Sequence, residues 1–208
     1  MAWETLKQAL LDDIAGIVAK RADADHGEDL SRLSDTFFSR FSAEDMRERS
    51  PDNLYGLLYG LLRFMQSWPG DAPKVRLLNP QISSHGWEST STIVAILCRD
   101  MPFCTASVRG EINQRNLGIH CLASCNLRVE RDEAGELLRL LEPGEENPRA
   151  SAESLLYFEI TRHSDLSELD ELRESLEQIL EEVAMVVNDF GAMRERLEEA
   201  RQSITDAA

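Results

Sequence analysis

Basic charge is what this sequence has least of: 22 lysines and arginines stand against 38 aspartates and glutamates, a formal net charge of −16 over 208 residues. The imbalance excludes a nucleic-acid footprint, because no basic stripe is available to displace the counterions of a phosphate backbone. The acidic excess gathers in the last third. A solvated helix face is the simpler account of it, and an acidic surface for a basic partner patch is the other. Long apolar runs are missing as well. No segment approaches the ~20 residues that span a bilayer, and the opening carries Glu4, Lys7, Asp12 and Asp13 inside its apolar pattern, which no secretory signal does. The two absences point to the cytoplasm, with no membrane partner. Cysteine is sparse, and Cys98, Cys104, Cys121 and Cys125 all lie within apolar runs, where a thiol in a reducing compartment serves as a small hydrophobe. No Gly-x-Gly-x-x-Gly follows a strand, so a dinucleotide pyrophosphate finds no helix N-terminus to sit on.

What is present begins with helices. Trp3, Leu6, Leu10, Ile14, Ile17 and Val18 recur at spacings of three and four, which places them on one helix face. His26-Gly27-Glu28-Asp29 is expected to break the pattern, and a second helix to follow with Leu30, Leu33, Phe37 and Phe41 as its stripe. Ser42-Ala43-Glu44-Asp45 has the form of a capping box, and Ser50-Pro51 repeats a start signal. The helix it opens carries Leu54, Leu57, Leu58, Leu61, Leu62 and Met65 and is expected to centre a helical subdomain, residues 1–70. Trp68 to Pro73 is a stop and a linker.

After the linker the period changes to that of strands. Lys74 to Asn79 predicts a short strand, and the continuous β-branched run Thr92 to Cys98 a strand buried at the sheet centre. A helix is expected from Pro102 to about Arg115, then a long strand from Ile119 to Glu130, a turn, and a hairpin arm from Glu136 to Leu141. A surface loop, a strand from Ser154 to Thr161 and a helix capped at Asp165 complete the order. That last helix carries Leu169, Leu172, Leu176, Ile179, Leu180, Val183, Val186, Val187 and Phe190; Gly191 is expected to kink or end it, leaving a polar helical tail, residues 193–208. A polar stop after an amphipathic helix fits a boundary between domains of a longer chain.

The order predicts an α+β fold: a ferredoxin-like antiparallel sheet with helices on one face and a long C-terminal helix. Lys74 to Asn79 is expected to lie antiparallel beside Thr92 to Cys98, at the edge a final strand would otherwise fill. Leu122, Leu127, Val129, Leu138 and Leu140 make the hairpin too apolar for a freely solvated ribbon, so association through the open sheet is expected.

Asp100-Met101-Pro102-Phe103, with Val108, Ile112, Asn116 and Ile119, resembles the first turn of an ACT domain, although Phe103 stands where that family usually has glycine. With its flanks the resemblance becomes more specific. Lys74-Val75-Arg76, Asn79-Pro80, His85-Gly86-Trp87-Glu88-Ser89, Ser107-Val108-Arg109, Glu111-Ile112-Asn113, Ile119-His120, Glu153-Ser154-Leu155 and Glu159-Ile160 resemble, in order and spacing, the N-terminal region of the large NAD-specific glutamate dehydrogenases of bacteria. The likeness covers about residues 50–190. It implies an ACT-like domain over residues 73–192, in a non-catalytic regulatory or assembly segment of an enzyme that oxidatively deaminates L-glutamate to 2-oxoglutarate with NAD. The partners implied are a second copy or other domains of the same enzyme, and an amino-acid effector. The alternative is a free-standing ACT-type amino-acid-sensing module, against which Phe103 counts.

Two groups of residues are candidates for function. The loop Asp100, Met101, Pro102 and Phe103 precedes a helix N-terminus, whose free N–H groups suit a carboxylate. His85, Trp87 and Glu88 form a turn with an indole that either pins the loop to the sheet or meets a partner or ligand. No catalytic residue is expected. The resembled enzymes use a lysine of lowered pKa, and Lys7, Lys20 and Lys74 are not placed as bases. Cys121 and Cys125, with His85, His120 and His163, give no metal site, because four residues of extended chain hold the two thiols too far apart. No histidine is oriented to activate Cys104. NAD therefore belongs to the parent enzyme, and no cofactor to this chain.

Overall fold

Helix-period stripes and their caps build the first layer. The structure, a computed structural model, describes residues 2–22 and 24–206. Helix α1 (Ala2–Arg21) buries Ile14 and Val18, and α2 (Ala24–Phe38) buries Leu30, Leu33, Phe37 and Phe38; the side chain of Trp3 lies outside the described residues. His26 to Asp29 do not break the chain but lie within α2. A tertiary partner overrides the local signal, because the buried Asp29 carboxylate accepts the Leu140 N–H at 2.7 Å. Phe41, expected on the helix stripe, follows the helix end yet is still buried, its ring 4.9 Å from that of Phe37.

Ser42 caps α3 (Ala43–Arg47) reciprocally with Asp45, each accepting from the other's backbone at 3.1 Å. Ser50 caps α4 (Pro51–Met65), whose Pro51 occupies the position where a missing N–H is harmless. Nearly every apolar residue of α4 is buried, so it forms the spine of this layer.

Five strands follow: β1 (Lys74–Leu78), β2 (Thr92–Arg99), β3 (Ile119–Arg131), β4 (Leu137–Leu140) and β5 (Ala150–Ile160). They form one antiparallel sheet in the order β1-β2-β5-β3-β4. Strand β1 pairs with β2 from Lys74 opposite Leu97 to Leu78 opposite Ile93, at the edge expected for it. Strands β2 and β3 run the same way with β5 between them, joined by α6 (Cys104–Gln114), which makes a split β-α-β unit. The short α5 (Ile82–His85) has too few residues to show a period, and the sequence gives no sign of it.

The sheet is buried on both faces, which corrects the expectation of helices on one. Alternation along β2 sends Ile93, Ala95 and Leu97 toward α1–α4, and Val94, Ile96 and Cys98 toward α6 and α7 (Leu166–Asp206). The core beneath residues 1–70 is continuous with the first of these faces. Leu172, Leu176 and Leu180 of α7 close the other, and the helix runs on through Gly191 without ending there. The hairpin is covered by the chain's own α2: Leu127, Val129 and Leu140 are buried, Leu122 is half-buried, and Leu138 faces solvent. No helix among the described residues is long and apolar enough to cross a membrane.

Strand β5 carries the charges that fix the layers. Its face toward α1–α4 reads Glu153, Leu155, Tyr157, Glu159, with all four side chains buried. Arg131 grips Glu153 with two nitrogens, at 2.7 and 2.9 Å, and its third donates to the carbonyls of Met65 and Gly135. A register shift in β3 at Glu130 and Arg131 re-aims this side chain beneath the Trp68 ring. Arg49 holds Glu159 through a single guanidinium nitrogen, which donates to both carboxylate oxygens at 2.6 and 2.7 Å, while the Tyr157 hydroxyl donates to that carboxylate. Burial, and then the Glu159 charge, hold the Tyr157 phenol neutral, its pKa well above the usual tyrosine range.

Removing one partner should expose the weight of this arrangement. Arg131→Ala leaves Glu153 buried without its counter-charge, and urea unfolding should show a loss of about 3–5 kcal/mol. The double change Arg131→Met with Glu153→Leu should recover most of it; a double variant as unstable as the single would refute the account. A second test concerns pH. Arg115, and then the Ser175 hydroxyl, lower the Glu111 pKa through bonds of 2.7 Å each, and the second of these clasps α6 to α7. A carboxyl lowered on folding stabilises above its ordinary value of about 4.3 and loses that contribution as pH falls through its folded value. Glu111→Gln should therefore unfold more easily than the parent at pH 7, with the gap closing toward pH 3.

Candidate functional site

The two candidate groups lie at opposite ends of β2, roughly 23 Å apart along the strand, and the fold does not bring them together. At the C-terminal end, Asp100 is spent on structure. Its carboxylate accepts the Ser154 hydroxyl at 2.9 Å and the Asn126 amide at 3.1 Å, tying the loop to β5 and β3. Met101 packs against the α6–α7 side of the core, while Pro102 is exposed. Phe103 is 67% exposed and sits in the left-handed region at φ 73°, where its Cβ crowds the backbone. It precedes α6 without a side-chain cap, so the first-turn N–H groups keep no side-chain partner.

Cys104 opens α6 beside Cys98, and the two thiols share a hydrogen bond that lowers Cys104 and, with burial, raises Cys98. Cys121 and Cys125 face α1–α4, where burial pushes them up to about 12 and about 11. Both remain thiols at neutral pH.

At the other end of β2 the loop is built around Trp87. Gly86 closes α5 at φ 76°, a left-handed turn open to glycine, and drops the indole onto α4. A Cβ on Gly56 would stand 2.7 Å from the Trp87 Cβ and 2.9 Å from the Gly86 carbonyl; one on Gly60 would stand 3.3 Å from the indole nitrogen. Two glycines inside a leucine-rich helix, each unfavourable there by about 1 kcal/mol against alanine, are thus the seat of the indole. Their four-residue spacing was the sequence signal for this contact, and the residue pattern read above passes over it. The Asn53 amide and the Glu88 backbone exchange hydrogen bonds of 2.9 and 2.8 Å, fastening the loop to α4, while the Glu88 side chain is exposed. The His85 ring accepts the Gln81 N–H through Nδ1 at 3.2 Å. So Trp87 anchors the loop on α4 and not on the sheet alone, and beside it lies a cavity of about 190 Å³.

A family profile described as "Glutamate dehydrogenase, ACT1 domain" matches residues 33–176. A protein of Halomonas elongata named NAD-specific glutamate dehydrogenase is 36% identical over 215 aligned residues, covering 100% of this chain and 13% of that protein. One of the same name from Pseudomonas aeruginosa is 37% identical over 167 residues, 80% of this chain and 10% of its own length. The chain thus spans about a tenth of the length of these curated relatives. No solved structure matches it.

The strain at Phe103 is open to measurement. Glycine escapes the Cβ clash that alanine retains, worth about 1–2 kcal/mol, less what glycine gains in unfolded freedom. Phe103→Gly should therefore be more stable than Phe103→Ala by on the order of 0.5–1 kcal/mol in urea unfolding. Equal stability would mean that the loop relaxes out of the left-handed conformation.

Proposed function

The chain belongs to the glutamate dehydrogenase ACT1 domain family, and from that footing we propose that it is a non-catalytic regulatory or assembly segment of an NAD-specific glutamate dehydrogenase. The parent reaction would be oxidative deamination of L-glutamate to 2-oxoglutarate, carried out by a catalytic domain elsewhere in the enzyme. The observation that carries this reading is the likeness of all of this chain to a small part of one relative and of four-fifths of it to a small part of the other. The side chains support it. Lys74, whose pKa is lowered by burial and then by Arg131 and Arg76, donates to the Phe64 and Ser67 carbonyls at 2.7 and 2.6 Å, so it ties down the end of α4. Lys7 donates to the Phe41 and Ser39 carbonyls in the same manner.

Residues 73–192 are read as an ACT-like unit in permuted form. Strands β2, β3 and β5 with α6 and α7 supply the ferredoxin-like elements, and β1 takes the place of the last strand. The helices of residues 1–70 cover its open face, and the polar tail from 193 is helical as far as Asp206, with 207 and 208 outside the described residues. With that face occupied, contacts to a second copy or to other domains of the enzyme fall to other surfaces. Along α7, Met185, Val186, Phe190 and Met193 are each more than half exposed, more apolar surface than a solvated helix needs. An amino-acid effector would meet the Asp100–Phe103 loop through the free N–H groups of α6. The free-standing sensor is the weaker reading, because Phe103 occupies the position where backbone would have to approach a ligand.

Calorimetric titration of the purified chain with NAD should register no binding, and glutamate with NAD should yield no NADH at 340 nm in its presence. Micromolar affinity for NAD, or glutamate-dependent reduction, would refute the non-catalytic assignment.

A further inference from the structure

The cavity beside Trp87 has an unusual set of polar groups. Trp87 is only 4% exposed, and among the described residues its indole N–H meets no acceptor. It is not a sealed, orphaned group, since the sealed unpartnered side-chain atom among those residues is Gln66 Oε1. The N–H is therefore within reach of solvent, on a ring that lines the cavity. Arg63 and Arg76 also line it, and neither has an ion-pair partner among the described residues, in a chain where acids outnumber bases 38 to 22. His85 lines it too; because its Nδ1 accepts the Gln81 N–H, the neutral ring carries its proton on Nε2, a further donor. The remaining wall is chiefly apolar, with Leu57, Phe64, Leu78 and Ile93.

We propose that this cavity is a binding site for a compact aliphatic carboxylate that carries no α-ammonium group. The carboxylate accepts the Trp87 N–H and is neutralised by Arg63 and Arg76, while its short body lies along the leucines and Ile93. Charge-assisted hydrogen bonds of this kind are the strong ones. Ammonium is disfavoured because no aspartate or glutamate lines the cavity to receive it. Size sets the other limit: 190 Å³ is roughly the volume of six liquid waters, below the range of drug-sized pockets. The proposal stands apart from the regulatory reading, since binding here is a property of the chain whether or not it governs an enzyme.

The test follows the Trp87 indole N–H resonance of ¹⁵N-labelled chain, assigned by its loss in Trp87→Phe. Titration with 3-methylbutanoate should shift it saturably. The neutral isostere 3-methylbutanamide and the zwitterion L-leucine should each bind roughly tenfold more weakly or worse, a difference of about 1.4 kcal/mol. Arg63→Gln with Arg76→Gln, both at exposed positions, should abolish the preference for carboxylate over amide. Gly60→Ala, which sets a methyl 3.3 Å from the indole nitrogen, should weaken binding while the rest of the spectrum stays dispersed. The proposal fails if 3-methylbutanoate gives no saturable shift, if the amide or L-leucine binds equally well, or if the double arginine variant still prefers the carboxylate.

Discussion

A carboxylate that cannot reach water has to meet a cation, and that constraint organises this molecule. Strand β5 lies third in a sheet of five with helices on both faces, so Glu153 and Glu159 have no route to solvent. Each takes an arginine from a different part of the chain: Arg131 at the end of β3, and Arg49 in the turn before α4. The two pairs fall at opposite ends of one face of β5, with Leu155 and Tyr157 between. They therefore fix where the helical layer sits along the strand as well as whether it sits there. A purely apolar face would tolerate sliding, whereas two buried ion pairs tolerate very little.

The same economy appears at the end of α4, where unpaired carbonyls must find donors. Arg131 takes the Met65 carbonyl, Lys74 those of Phe64 and Ser67, and the Leu137 N–H that of Gln66. One helix terminus is thus shared between the two arms of the hairpin and the first strand. Gly135 turns close beneath it, at φ 85°, and any Cβ there would meet the Trp68 carbonyl at 2.5 Å. This corner leaves no room for a side chain at Gly135.

The sequence was legible where the signal was local. Ser42 with Asp45 and Ser50 with Pro51 cap the helices they were expected to cap, and Lys74 to Leu78 found its edge because the alternative edges were taken. It was illegible where a distant partner decided the outcome. Asp29 looks like part of a break and is instead the acceptor for a strand more than a hundred positions away. Glu153 and Glu159 look like solvent-facing positions of an alternating strand, and only the helices packed above make them interior. The apolar stripes of α1 to α4 announce that each has a buried face without saying what it meets. At the candidate loops, Phe103 was recognisable as a departure from glycine, but its left-handed backbone was not. Trp87 was recognisable as an anchor, but its seat on Gly56 and Gly60 was not.

Helix α7 runs unbroken for 41 residues, about 60 Å at 1.5 Å per residue, while among the described residues the side chains that bind it to the sheet end near Val183. It is therefore a lever with a short arm clamped in the core and a longer arm outside it. The clamp consists of Leu172, Leu176 and Leu180 against Val108 and Ile112, with Glu111 and Ser175 as the polar catch. Any sideways load on the outer arm is a torque on that clamp. Helix α6 bears the reaction, and with it the turn at Phe103.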